Sequence, residues 1–341
     1  MLAAIAHQAD TILSRAISNG QMRAAVLFVR IGKHLHQQAF GEATSVNASF
    51  LLGSITKPIA VAALMTLYNQ GKFGLDDLVK RYLPEFHGDR KDRVTIRHLL
   101  THVSGLPDQL PDNADLRRSH APLLEFVNRA VRVPLRFEPG SRYEYSSMAI
   151  LLASEIAQRI SGIEFKEFVD QVVLQPLGMV HSAFGAGQLT PDDVMPCQVE
   201  FGAIESGGGS AESTNWDWNS SYWRNLGAPW GGAHASAKDV AIFLEEFLHP
   251  TGKLFRPEVC NLMIQNHNPR GFVPRGLGLD VGMNDIFPSG SIKTFGHTGS
   301  TGTIAWADPE RDCVCVVLTT LPADAVQEHP RQLVSRCIAA Y

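Results

Sequence analysis

The sequence has few cysteines, and their arrangement suggests neither disulfides nor a metal site. Five are scattered along 341 residues, at positions 197, 260, 313, 315 and 337, and the odd number does not indicate a disulfide framework. Cys313 and Cys315 lie two apart in a predicted strand, so both point to one face and favour core packing. His98 and His102 have an i,i+4 spacing but no His-Glu-x-x-His pattern and no third ligand, so we expect structural roles. The sequence therefore predicts no metal and no cofactor.

Blocks of one charge and long apolar runs are also absent. Lys and Arg number 30 against 34 Asp and Glu, the net charge is -4, and no basic block argues for nucleic acid or an anionic membrane as partner. No run approaches 18 apolar residues, so we predict no membrane span. Residues 1–18 have the pattern of an amphipathic helix rather than an export signal, and we expect a cytoplasmic protein. The Gly-x-Ser-x-Gly of α/β-hydrolases is missing from the chain.

The order of apolar patterns predicts an α+β fold. The length allows a large core in one two-lobed domain or two domains. Helical patterns fill the middle of the chain, and strand patterns occur at 24–30, 36–40, 276–281, 291–295, 303–308 and 313–320. We therefore predict an antiparallel sheet flanked by helices, with an inserted all-helical lobe and the active site between them. Residues 1–65 and 225–341 are assigned to the sheet lobe and 66–224 to the mainly helical lobe.

The chain contains one Ser-x-x-Lys pair, Ser54-Ile55-Thr56-Lys57, at the start of a helix that is apolar almost all round. Residues three apart share a helix face, so the hydroxyl of Ser54 can reach the amine of Lys57. An amine that is not permanently charged turns such a serine into a usable nucleophile. Spacing alone is weak evidence, because a pair like this is expected about once in every few hundred residues.

Two later segments supply the other parts that such a nucleophile needs. Tyr145 follows the Pro139-Gly140 turn and precedes a helix, so its phenol can project into a cleft. A tyrosine between positive groups has a lowered pKa and can act as general base. Residues 295–302, Phe-Gly-His-Thr-Gly-Ser-Thr-Gly, are glycine-rich, and a free N–H there can complete an oxyanion hole.

These three segments, in this order, resemble the motifs of the serine β-lactamase and penicillin-binding-protein superfamily, in particular class C β-lactamases, DD-peptidases and family VIII esterases. That superfamily uses Ser-x-x-Lys, Tyr-x-Asn and Lys-Thr-Gly or His-Thr-Gly. Residues 95–106 and 231–240 are similar to two further segments shared by these proteins. The resemblance covers most of the chain and implies the same α+β, transpeptidase-like fold.

The resemblance also implies roles for particular residues. Ser54 is the expected acylated nucleophile, Lys57 assists its deprotonation, and Tyr145 takes and returns the proton. The N–H groups of Ser54 and Ser300 are the expected oxyanion hole. In the third motif His297, with Thr298 and Gly299, is expected to bind substrate, His297 being either neutral or charged and able to meet a substrate carboxylate.

The second motif departs from the family pattern, since Ser147 stands where asparagine is usual. Serine is shorter and has no amide, so we expect amide substrates to be held less well than esters. Four tryptophans lie in the loop-rich stretch at about 202–232: Trp216, Trp218, Trp223 and Trp230. Core packing is the ordinary explanation for them, but Trp223 and Trp230 are also candidates for an apolar substrate wall.

The leading hypothesis is a serine hydrolase that cleaves small carboxylic esters through an acyl-enzyme. Its partners would be small-molecule esters or amides. A β-lactamase or DD-peptidase/transpeptidase is the enzymatic alternative, although those substrates lie outside the cytoplasm. A non-catalytic binding protein on the same scaffold is the third hypothesis. The sequence leaves the natural substrate, acyl transfer against hydrolysis, and the oligomeric state open.

Overall fold

The computed structural model describes residues 2–190, 193–282 and 289–340. The strands are β1 (Ala24–Ile31), β2 (His34–Gly41), β3 (Ser49–Leu51), β4 (Ser182–Phe184), β5 (Val194–Met195), β6 (Ala233–Ser236), β7 (Asp280–Val281), β8 (Phe295–Gly299), β9 (Thr303–Asp308) and β10 (Cys313–Thr319). The α-helices are α1 (Leu2–Ser18), α2 (Thr56–Asn69), α3 (Ile96–Leu100), α4 (Asn113–Arg118), α5 (Leu123–Ala130), α6 (Ser147–Ser161), α7 (Phe165–Val169), α8 (Gln175–Leu177), α9 (Ser221–Leu226), α10 (Ala237–Leu248), α11 (Pro257–Ile264) and α12 (Pro330–Ala339).

The main sheet joins the two ends of the chain, as the sequence predicts. Its six strands lie in the order β2-β1-β10-β9-β8-β7, and every neighbouring pair is antiparallel. The register of β1 on β10 places Val29 opposite Cys315. Both faces of the central strands are buried, because helices cover the sheet on each side. The predicted antiparallel sheet flanked by helices is confirmed.

Two predicted strands differ from the structure. The pattern at 276–281 forms a strand only at its end, as the two-residue β7. The pattern at 291–295 predicts a strand, but β8 begins at Phe295 and continues to Gly299. The carboxylate of Asp308 is the reason: it accepts hydrogen bonds from the N–H and hydroxyl of Ser291, at 2.9 and 2.7 Å, and from the hydroxyl of Thr294 at 3.1 Å. These bonds fold residues 291–294 into a turn. The third motif consequently begins within a strand and not within a loop.

The two faces of the main sheet bury different cores. One face packs against α1 and α12, and Cys313 and Cys315 lie in this cluster, as expected of core cysteines. The five cysteines are all free. The opposite face packs against α10 and leads into the larger core around α2 and α6. Among the described residues, no helix is both long and apolar enough to cross a bilayer.

A smaller sheet corrects the prediction of an all-helical insertion. Its four strands lie in the order β4-β6-β3-β5, so β4 and β5 from the middle of the chain pair with β6 and β3 from the sheet lobe. The pairing of β3 with β5 is parallel, and the other two pairings are antiparallel. The division at residues 65 and 225 stays a prediction.

Helix α2 lies at the centre of the molecule. Residues 56–67 are all buried, as the apolar pattern on every side predicts. Helix α6 packs along it, and the helix is preceded by a short 3-10 turn at Gly53–Ile55. The Ser-x-x-Lys pair therefore stands where the sheet meets the helical part of the chain.

Candidate active site

The turn that carries Ser54 is held by the β8–β9 hairpin. The hydroxyls of Thr301 and Thr303 donate to the backbone carbonyls of Leu51 and Leu52, both at 2.7 Å. Gly53 has φ +55, and a Cβ there would stand 3.1 Å from the backbone N of Ser300. Only glycine allows the two backbones to approach so closely. The first and third motifs are thus brought together by backbone contact.

Ser54 and Lys57 meet as their spacing predicts. The Nζ of Lys57 lies 2.8 Å from Ser54 Oγ and also donates to the backbone carbonyl of Trp230 at 2.8 Å. Lys57 is 1% exposed. Burial, partly opposed by Asp108 and Glu205, lowers the pKa of Lys57 to about 8. About a tenth of this amine is therefore neutral at pH 7, far more than for an ordinary lysine, and the neutral form is the one that can accept the proton of Ser54.

Tyr145 faces Ser54 from the residues just before α6. Ser146 caps this helix with a 3.0 Å hydrogen bond from Ala149 N–H to its hydroxyl. The ring of His102 packs against Tyr145 at a tilt of 38°, with centroids 4.6 Å apart, and its Nδ1 accepts from the Ser146 N–H at 3.2 Å. His102 thus packs behind the site, with Ser146 and Arg275 as its hydrogen-bond partners.

The expected lowering of the Tyr145 pKa is wrong. Burial raises the pKa of Tyr145 well above its usual value, although Arg275 and a hydrogen bond with Ser54 act in the opposite direction. The cation of Lys57 does lie near its ring, 4.8 Å from the centroid, but desolvation of a phenolate outweighs that attraction. Tyr145 is therefore held protonated, and the group with the lowered pKa is Lys57.

Ser300 lies on the other side of Ser54. Its backbone N is close to Gly53, and both serines line the same cavity. Two backbone N–H groups beside one cavity are what an oxyanion hole needs. The role of this pair stays a prediction.

Ser147 is hydrogen-bonded to the carboxylate of Asp108. Its hydroxyl donates to Asp108 Oδ1 at 2.7 Å, and its N–H donates to the same oxygen at 2.8 Å. Asp108 also lines the cavity, and its charge raises the pKa of Lys57. The short serine side chain leaves room for this carboxylate, which the sequence interpretation missed.

His297 is buried behind Tyr145 and is 3% exposed. Its Nδ1 donates to the Thr298 carbonyl at 2.7 Å, and its Nε2 accepts from Arg275 Nη2 at 3.3 Å. Burial lowers the pKa of His297 to about 4. The expectation of a charged His297 that meets a substrate carboxylate therefore conflicts with its surroundings. His297, Thr298 and Gly299 are not among the described residues that line the cavity beside Ser54.

Arg275 is a buried cation that lies next to His297 and Tyr145. It is 1% exposed, forms an ion pair with the buried Asp280, and lies 5.7 Å from the centroid of the Tyr145 ring.

We expect Arg275→Met to lower the free energy of unfolding by about 3 kcal/mol, because it leaves the Asp280 carboxylate buried without its partner. Urea unfolding followed by circular dichroism measures the change.

The matched control is Arg270→Met, which makes the same replacement at an exposed side chain five residues earlier. It should change the free energy of unfolding by less than about 0.5 kcal/mol. Adding Asp280→Asn to Arg275→Met should recover part of the loss. Equal stability of Arg275→Met and Arg270→Met would contradict the importance of this pair.

The tryptophan stretch forms much of the wall around Ser54. Trp218, Trp223 and Trp230 are buried and line the cavity, whereas Trp216 is buried but does not. The rings of Trp223 and Trp230 meet edge to face at 6.3 Å. The space left beside Ser54 is about 20 Å³, little more than a single water needs. A wider surface cleft of about 950 Å³ contains none of the three motifs.

Two further charged residues complete the wall. The guanidinium of Arg117 lies 4.1 Å from the Trp223 ring centroid and donates to the backbone carbonyl of Glu205. The carboxylate of Glu205 accepts from the Ser300 hydroxyl at 2.8 Å. Within the described ranges, no three His, Cys, Asp or Glu side chains gather as a metal site would require.

Sequence reasoning missed Asp108, Arg117, Glu205 and Arg275 as members of the site. Each lies in a stretch with no spacing signal relative to Ser54, and only the fold brings them together. His102 offered a signal, since it lies in the 95–106 segment that resembles the family. Its packing against Tyr145 could have been expected from that segment.

Comparison with known proteins agrees with this geometry. The model of the Beta-lactamase family matches residues 9–336. A Salmonella enteritidis PT4 (strain P125109) protein with the provisional name D-alanyl-D-alanine carboxypeptidase is 27% identical, over 94% of this chain and 83% of its own.

Two solved structures share the fold. EstCE1, described as a hydrolase with promiscuous acyltransferase activity, has a TM-score of 0.80 and 21% identity over 99% of both chains. A penicillin-binding protein homologue from Caulobacter crescentus has a TM-score of 0.78 and 20% identity over 99% of this chain and 97% of its own. The family match extends over nearly the whole sequence and includes all three motifs around Ser54, and the chain therefore belongs to the Beta-lactamase family of serine hydrolases.

Proposed function

We propose that this protein is a carboxylesterase that hydrolyses small esters through an acyl-enzyme on Ser54. The observation that carries the proposal is the 2.8 Å contact between Ser54 Oγ and the buried Nζ of Lys57, whose pKa is lowered to about 8. A neutral amine at this distance can accept the serine proton as the hydroxyl attacks a carbonyl carbon.

The proposed steps use the groups around Ser54. Lys57 takes the proton, Ser54 Oγ bonds to the ester carbonyl carbon, and the N–H groups of Ser54 and Ser300 bind the oxyanion. The carbon–oxygen bond to the alcohol then breaks. Tyr145, held protonated by its burial, donates its proton to the leaving alkoxide and recovers one from Lys57. Water attacks the acyl-enzyme and the same proton path returns Ser54 to its starting state.

The second and third motifs support an ester rather than an amide substrate. Ser147 presents a hydroxyl that is already bonded to Asp108 and offers no amide to a peptide. His297 is buried and has a pKa of about 4, so it does not provide a cation for a peptide or penicillin carboxylate. Both features favour a small substrate without a peptide-like acid.

DD-peptidase or β-lactamase activity is the second candidate. It is favoured by the provisional carboxypeptidase name of the Salmonella relative and by the resemblance of all three motifs. A non-catalytic protein is the third, and the short Ser54–Lys57 contact argues against it.

A substrate panel separates these candidates. The panel contains 4-nitrophenyl butyrate, an acyl-D-alanyl-D-alanine peptide and nitrocefin, and kcat/KM is measured for each. We expect kcat/KM to be highest for the ester, by roughly a hundredfold. A higher value for the peptide or for nitrocefin would replace the proposed function with the second candidate. No turnover of any of the three would favour the non-catalytic one.

A further inference from the structure

Glu205 occupies an unusual position against the third motif. It lies in a 3-10 turn, Ile204–Ser206, and its Oε2 accepts from Ser300 Oγ at 2.8 Å. Its backbone carbonyl accepts from Arg117, so the residue is bound at both its main chain and its side chain. The neighbouring Ile204 is 91% exposed. The turn thus lies on the outer side of the cavity, with one carboxylate directed inward at Ser300.

This carboxylate places a negative charge beside Ser300 in the wall of the cavity. Asp108 lines the same cavity through its contact with Ser147. Lys57 and Arg117 are the cations that line or adjoin it, while Arg275 is paired with Asp280 behind Tyr145. His297 holds no positive charge near neutral pH. The side of Ser54 at the third motif therefore presents an acid rather than a base.

Only about 20 Å³ is free beside Ser54, so a substrate enters only if part of the wall shifts, and Glu205 belongs to that wall. An uncharged group needs space alone. A carboxylate needs more: it must lie next to Glu205, or it must displace the Glu205 carboxylate from Ser300. Like charges placed together in a partly buried site cost several kcal/mol in general, so either route disfavours an acid.

We propose that Glu205 is a specificity-determining residue, which makes the enzyme select uncharged substrates over substrates that carry a carboxylate near the scissile bond. The inference rests on the proposed function for its choice of esters. The exclusion of acids would thus depend on one side chain outside the three motifs.

Arg117 would have the opposite effect, since its guanidinium attracts a carboxylate. It is 1% exposed, its Nε has no hydrogen-bond partner among the described residues, and it lines the cavity. A guanidinium in this setting can receive a carboxylate. In the present arrangement, however, Arg117 donates to the carbonyl of the very residue whose acid faces Ser300. A preference of the wild type for acidic esters would show that attraction of the substrate carboxylate by Arg117 outweighs its repulsion by Glu205.

Two pairs of esters test the proposal, each pair matched in size. The first places the acid in the leaving group, as 3-carboxyphenyl against 3-carbamoylphenyl butyrate. The second places it in the acyl part, as 4-nitrophenyl hydrogen glutarate against 4-nitrophenyl methyl glutarate. We expect the wild type to favour the neutral member by roughly tenfold or more in at least one pair. Glu205→Gln should reduce that ratio at least about fivefold.

The control is Glu212→Gln, which removes the same charge from an exposed position seven residues later. Its neutral-to-acid ratios should equal those of the wild type. Equal ratios for Glu205→Gln and the wild type would overturn the proposal, as would a wild-type ratio near one in both pairs. A wild-type ratio below one would transfer the specificity role to Arg117.

A second measurement separates failure of this proposal from failure of the esterase function. The rate at which a fluorescent penicillin, which is anionic, acylates Ser54 is measured. The rate at which an uncharged fluorophosphonate phosphonylates Ser54 is measured in parallel. Neither needs ester turnover. Glu205→Gln should raise the ratio of the penicillin rate to the fluorophosphonate rate at least about fivefold. An unchanged labelling ratio would overturn the proposal even in an active esterase, whereas a raised ratio without ester turnover would reject the esterase function alone.

Discussion

Ser54→Ala is expected to lower ester hydrolysis by roughly 10⁴-fold or more, because it removes the one side-chain hydroxyl that is hydrogen-bonded to Lys57 among the described residues. The remaining wall, including Ser300 and Tyr145, would still bind substrate. The measurement is kcat/KM for 4-nitrophenyl butyrate. Labelling with a fluorophosphonate, followed by intact mass, should show one adduct on the wild type and none on the variant.

The matched control is Ser14→Ala, an exposed serine on α1 far from the site in the chain. Its activity and labelling should equal those of the wild type. Peptide mapping of the wild-type adduct should place the modification on Ser54. Full hydrolysis by Ser54→Ala, or an adduct on another residue, would reject the acyl-enzyme mechanism.

The second large effect concerns Lys57 and pH. The pKa of Lys57 is lowered to about 8 by burial, and the reaction needs the neutral amine. Below pH 8 the amine is mostly protonated, so kcat/KM should rise about tenfold per pH unit as pH increases and level off above 8. A rate that falls above pH 8 would mean that the charged amine is the active form, and would contradict the proposed role.

Substitution of Lys57 tests the same assignment. Lys57→Met should lower kcat/KM roughly 10³-fold and remove the rise with pH, since general-base assistance is lost. Lys72→Met, at an exposed lysine, is the control and should retain both the activity and the pH profile.

Asp108→Asn should shift the pH profile of kcat/KM. It removes a charge that raises the pKa of Lys57, so the rise of kcat/KM with pH should occur at lower pH. Glu205 and Asp280 act on Lys57 in the same direction as Asp108, and Arg275 acts in the opposite direction.

The elements that follow from local pattern were predictable. The apolar residues of α2 continue on all sides, and the helix is buried on all sides. The strand pattern at 303–308 has the same bounds as β9, whereas the pattern at 291–295 fails because Asp308, a residue of β9, binds Ser291 and Thr294. Such a side-chain contact is invisible to a local apolar pattern.

In the site, too, some features follow from local spacing and others do not. A three-residue spacing fixes the distance between Ser54 and Lys57, since one turn of helix allows few alternatives. The pKa values could not follow from spacing. The Tyr145 phenol was expected to lose its proton easily beside cations, but burial dominates and raises its pKa.

By itself, the sequence determined the family, the α+β fold and the three motifs that surround Ser54, because these depend on residues close in the chain or in a recognisable order. Only the tertiary structure decided what surrounds those motifs. It paired Ser147 with Asp108 and Ser300 with Glu205, and it placed the neutral His297 behind Tyr145. Charge and solvation at Ser54 depend on distances between groups far apart in the chain, and those distances exist only once the chain is folded.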